Sequence, residues 1–184
     1  MTKRPLPRPE SSVATSSPKP INDLLSDLVQ PDEVDRFSDP IAARKKAMDY
    51  LARREHSRQE LENKLAKAGF EPDALAEAVD GLESDGLQSD LRFAEAFVHS
   101  RVRRGKGPVR IRAELGERGV TGSIVAQALD EAGADWRELA IEVRRRKFGA
   151  TLPNDFADKA RQMRFLQYRG FDTDQIQAAV SDGD

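Results

Sequence analysis

Three stretches of this chain lie over one another: "LAKAGFEPDALAEAV" from residue 65, "LGERGVTGSIVAQAL" from residue 115 and "LQYRGFDTDQIQAAV" from residue 166. Leu65, Leu115 and Leu166 coincide, as do Gly69, Gly119 and Gly170, then Phe70, Val120 and Phe171, and finally Val79, Leu129 and Val180. A period of 50 to 51 residues marks an internal repeat, and repeats of this length fold as tandem supersecondary units. Each copy is too small to be expected to hold a core alone, so neighbours are expected to bury one another's apolar faces.

Helix signals recur in threes around these stretches. Pro40 opens a first helix that Ala47, Tyr50, Leu51 and Arg54 continue. Ser57 and Glu60 have the spacing of a capping box, followed by Leu61 and Leu65 on one face and a stop at Gly69. Glu71-Pro72 begins a third helix carrying Leu75, Ala78, Val79 and Leu82. Fifty residues on, Phe93, Ala94, Phe97, Val98 and Arg101 line a first helix, Pro108 opens a second with Ile111 and Leu115, and Thr121 caps a third with Val125, Ala128 and Leu129. The last pass starts at Asp135, with Trp136, Leu139, Ala140 and Val143 on one face, and Asp172 to Gln175 caps its final helix. Gln162 stands where the other copies have Leu61 and Ile111, which loosens the register there. The expectation is an all-α protein of three tandem three-helix repeats, over 40–86, 87–133 and 134–184.

Residues 1–39 are a different material. They are rich in serine and hold six of the ten prolines, a composition that buries too little apolar area to offset its ordering entropy, so a largely disordered tail is expected. One island, Ile21, Leu24, Leu25, Leu28 and Val29, has amphipathic spacing and predicts a short helix over 21–29.

Catalytic chemistry has little to stand on. There are no cysteines, and the two histidines, His56 and His99, fall in different repeats without metal-ligand spacing; both are expected to be solvated. The segment "RVRRGKGPVRIRAELGERG" is not a phosphate-cradling P-loop, because Gly105, Gly107 and Pro108 punctuate a joint between two helices. What it does carry is charge. The chain is nearly neutral at −2, yet Arg101, Arg103, Arg104, Lys106, Arg110 and Arg112 gather at this joint, and Arg144, Arg145, Arg146 and Lys147 form a second run. Such clusters steer an anionic partner. Four consecutive helical positions sweep around the axis, so the second run cannot all point one way. Phe93, Phe97 and Trp136 have core spacing, which leaves phosphate contact without base reading as the most that DNA binding would involve.

The segments "YLARREHSRQELENKLAKAGF", "DLRFAEAFVHSRVRRGKGPVRIRAELGERGV" and "RFLQYRGFDTDQI" resemble the RecX family of recombination regulators, most specifically through Phe93-Ala94, Arg101, Gly107-Pro108, Ile111, Leu115 and Gly119. The resemblance implies a cytoplasmic, non-enzymatic modulator of the RecA recombinase, without cofactor or metal. Such a protein is an elongated, curved stack of helical repeats lying on the RecA–DNA filament, damping strand exchange, ATP hydrolysis and the co-protease activity behind the SOS response. The ten clustered cations are then the candidate contacts to filament or DNA. A monomer with no membrane association is expected. Two alternatives stay open: a helical-repeat protein that binds single- or double-stranded DNA through phosphates independently of RecA, and an adaptor that recruits a partner through 21–29.

Overall fold

The computed structural model describes residues 36–181, and the helix expected at 21–29 lies outside them. The described residues form nine α-helices and no strand, in three consecutive sets. The first set is α1 (Pro40–Leu51), α2 (Arg58–Lys67) and α3 (Pro72–Ser84); the second is α4 (Asp90–Arg103), α5 (Pro108–Gly116) and α6 (Gly122–Glu131); the third is α7 (Trp136–Phe148), α8 (Phe156–Arg169) and α9 (Thr173–Val180). None of them is long and apolar enough to cross a membrane.

Local chemistry sets the boundaries. Pro40, Pro72 and Pro108 each occupy the first turn, where a missing N–H costs nothing. Ser57 accepts from the Glu60 amide and Asp135 from the amides of Arg137 and Glu138. The reciprocal half of a capping box forms only at Asp172–Gln175. Glu60 does not complete the box at Ser57, because its carboxylate is drawn to Arg54 at 2.8 Å and Arg118 at 3.5 Å. Helix α1 ends at Leu51, short of Arg54.

Three separate apolar clusters fill the three sets, and this corrects the expectation of shared faces. Leu61, Leu65, Val79 and Leu82 anchor the first, Phe93, Ile111, Leu115 and Val125 the second, and Ala140, Leu166, Phe171 and Ile176 the third. Three short amphipathic helices folded on each other already enclose their apolar stripes, so little is left for a neighbour. Trp136 is the notable crossing: it begins α7 but packs on the second cluster. Gln162 keeps the repeat register and is buried in the place of a leucine, its amide nitrogen on Asp158 at 2.9 Å and its amide oxygen without a partner.

The repeats are joined by polar contacts between ends of their middle helices. At the second junction, the N–H groups of Gly107 and Val109, at the start of α5, donate to the carbonyls of Arg169 and Gly170, at the end of α8, both at 3.0 Å. A helix start has free donors and a helix end free acceptors, and end-on docking satisfies both. At the first junction the buried Ser57 hydroxyl, at the start of α2, donates to the Arg118 carbonyl at the end of α5 at 2.8 Å. Gly170, at φ +90°, permits its approach: a Cβ there would overlap the Arg110 Cβ and stand 2.5 Å from the Arg110 amide nitrogen. Gly119 plays the same part against Gln59. In the first repeat, the ring of Phe37 covers Gly69 and meets Phe70 edge-on at 5.8 Å.

Candidate binding surface

The ten cations singled out in the sequence divide sharply. Arg144 is a correction: it is 1% exposed, with its guanidinium turned inward to donate to the carbonyls of Thr151 at 2.8 Å and Ala150 at 3.2 Å. It pins the segment after α7 and is unavailable to any partner. Its neighbours Arg145, Arg146 and Lys147 are exposed, with Arg146 on Glu142 one turn back at 2.5 Å.

Glu114 decides the fate of two more. Its carboxylate accepts from Arg101 at 2.5 Å and from Arg110 at 2.8 Å, so this trio presents one net positive charge in place of two. Burial works against the charge of Glu114, but the two guanidinium bonds outweigh it and hold its carboxyl below the ordinary glutamate range. Arg101 also lies over the Phe97 ring at 4.2 Å, and Arg110 over Tyr168 at 5.2 Å while donating to the Tyr168 carbonyl. Both arginines are therefore structural parts of the joint. Arg103, Arg104 and Arg112 are exposed and form no ion pair among the described residues. Lys106 is half-buried, and that burial together with the charges of Arg110 and Arg169 pushes its ammonium below its usual range.

Sequence reasoning missed Arg118 and Arg169. Both directly precede the repeat glycine, in "ERG" and "YRG", and both reach the preceding repeat. Arg118 meets Glu60 and the Phe97 ring, and Arg169 donates to the Arg104 carbonyl at 3.0 Å. The shared Arg-Gly pair in the second and third copies was the available signal. With Arg54, Arg101, Arg104 and Glu60, Arg118 lines a cleft of about 400 Å3 whose wall includes the half-buried Phe97. His56 is a second correction: it is 3% exposed, because the turn before α2 is pressed into the first junction and Gln88 donates to its carbonyl. Its Nδ1 lies 3.0 Å from the Arg54 carbonyl, and burial, then Arg54, lowers the ring's pKa.

Comparison with known proteins places this arrangement. The patterns of the first, second and third three-helix domains of RecX match residues 43–82, 89–129 and 135–180, so each observed helix trio falls on one domain of that family. The chain belongs to the RecX family. The regulatory protein RecX of Pseudomonas savastanoi pv. phaseolicola is 49% identical over 142 residues, covering 77% of this chain and 92% of that one. The RecX of Halorhodospira halophila is 47% identical over 143 residues, covering 78% and 89%. Among solved structures, RecX from Lactobacillus salivarius matches with a TM-score of 0.64 at 22% identity, over 77% of this chain and 94% of that one, which is a likeness of fold. As a member of this family, the chain is a regulatory protein.

Proposed function

We propose that this protein is a cytoplasmic, non-catalytic regulator that binds the RecA–DNA filament and damps strand exchange, ATP hydrolysis and the co-protease activity of the SOS response. Family membership supports the choice of RecA, and relatives with 45–49% identity bear the name of regulatory protein. The observation that carries the contact surface is the set of exposed arginines without carboxylates, Arg103, Arg104 and Arg112, beside the half-buried Lys106. Arg145 and Lys147 extend it on the third repeat, beside Arg146, which Glu142 already pairs. Exposed, unpaired cations keep their full attraction for an anionic polymer and act mainly on encounter and orientation.

Arg101 and Arg110 belong to the reading as supports of the joint, since Glu114 already holds both. The test is titration into DNA-dependent ATP hydrolysis by the cognate recombinase. The parent protein suppresses hydrolysis, and the triple reversal Arg103→Glu, Arg104→Glu, Arg112→Glu loses suppression while keeping its helical circular dichroism. Suppression by the triple variant at parental concentrations removes these three residues from the interface; no effect of the parent sinks the function.

A further inference from the structure

A smaller hollow lies at the second repeat junction, between the end of α4, the end of α7 and α8. Its floor is Gly105 and Val143, which approach so closely that a Cβ on Gly105 would stand 2.6 Å from the valine Cγ2. Phe165 forms one wall and is held edge-on by Phe148 at 5.3 Å. Four cationic side chains complete the lining, Arg104, Arg146, Lys147 and Arg169, and no acidic residue does.

This distinguishes it from the cleft at the first junction, which is lined by Glu55 and Glu60 and where three of the four guanidinium groups are already engaged, Arg54 and Arg118 on Glu60 and Arg101 on Glu114, leaving only the shared Arg104 without a carboxylate among the described residues. In the notch, Arg104 and Lys147 have no ion pair among the described residues, and Arg169 has only neutral partners, the Arg104 carbonyl and the Phe165 ring at 5.1 Å. Arg146 meets Glu142 at the outer rim, where both side chains are more than half exposed. The neighbouring Lys106 ammonium is pushed down first by its burial and then by the charges of Arg110 and Arg169, the latter a lining residue of the notch. Arg169 is also held in place before any ligand arrives, and a fixed guanidinium fork matches two oxygens of a phosphate.

We propose that this notch seats a phosphodiester of a nucleic-acid backbone and reads no base. Its volume is about 170 Å3, well under the roughly 300 Å3 at which small-molecule pockets begin. That is room for a phosphate group and a few waters of about 30 Å3 each, not for a nucleoside. A polymer fits better than a lone anion because Arg104 lines both the notch and the larger cleft, so cations run from one junction to the next. The inference deepens the proposed function and rests on it for the biological setting, while its test leaves the recombinase out.

The measurement is fluorescence anisotropy of the full chain with labelled single-stranded oligonucleotides of two unrelated sequences, over a series of salt concentrations. Arg104→Gln with Lys147→Gln is expected to weaken binding to both sequences alike. It should also reduce the slope of log affinity against log salt by about 0.7 for each phosphate released. Both positions are exposed, and unchanged thermal unfolding certifies the fold. Arg53→Gln with Lys67→Gln, an equal charge loss on the exposed surface of the first repeat, should leave the slope parental. Inorganic phosphate and a polyglutamate peptide matched in charge to the oligonucleotide should compete poorly. The proposal is overturned by an unchanged slope in the notch variant, by equal losses in both variants, by absence of parental binding, or by either competitor displacing the oligonucleotide as well as unlabelled DNA does. None of these outcomes depends on whether the protein suppresses recombinase ATP hydrolysis, so the two readings fail separately.

Discussion

Replacing Gly170 by alanine tests the idea that repeats are joined end-on through helix termini. The residue sits at φ +90° in the left-handed region, where a Cβ costs about 1–2 kcal/mol by itself. The added methyl would also overlap the Cβ of Arg110 and press on its amide nitrogen, so relief demands movement of α5 backbone and not of a flexible side-chain tip. Movement on that scale breaks the two 3.0 Å bonds from Gly107 and Val109, each worth a net ~0.5–1.5 kcal/mol. The expected loss is therefore roughly 2–5 kcal/mol, or on the order of 4–20 °C in Tm for a domain of this size. The comparison is Gly86→Ala: its φ is +68° and a Cβ there meets nothing within 4 Å, which leaves only the backbone strain of about 1–2 kcal/mol. Thermal unfolding by circular dichroism gives the stabilities, and native-state hydrogen exchange gives the protection of the Gly107 and Val109 amides. Because each repeat keeps its own core, exchange at these two amides should rise far more than exchange inside α9. If Gly170→Ala costs no more than Gly86→Ala and both amides stay protected, the junction is not built as described.

Arg144→Ala should cost about 2–4 kcal/mol in chemical denaturation, since it empties the space of a buried side chain and strips two part-buried carbonyls of a charged donor, whereas Arg145→Ala should leave the midpoint where it is. His56 should titrate with a midpoint below 6.5 in a proton NMR series, because its buried ring resists the charge. A pKa lowered in the folded state means that its stabilising contribution is whole above the ordinary histidine range and fades as the pH falls through the folded value. A midpoint at or above 6.5 contradicts that account.

Much of the architecture was legible without coordinates, for a definable reason. Helix starts at Pro40, Pro72 and Pro108, the stops at Gly119 and Gly170, and the apolar faces around Leu65, Leu115 and Leu166 depend on residues within one or two helical turns of each other. The residue types that satisfy those local demands recur with the repeat. The surface was read less well. Arg101 and Arg110 looked like contacts, yet both converge on Glu114. Arg144 looked exposed, yet it turns inward to close a segment; and Arg169, which was not singled out, became the fixed donor of the notch.

What this sequence determined alone is a repeating, all-helical chain with cationic joints, since periodicity, caps and left-handed glycines act over a few residues. Tertiary structure decided which of those cations are free, where the units touch, and that hydrogen bonds and charges join them, with Trp136 the apolar side chain that crosses into a neighbouring cluster. Partners such as Glu55 and Arg92, or Arg104 and Arg169, lie 37 and 65 residues apart in the chain. A Coulomb or hydrogen-bond energy depends on separation in space, and that separation exists only once the helix ends have docked.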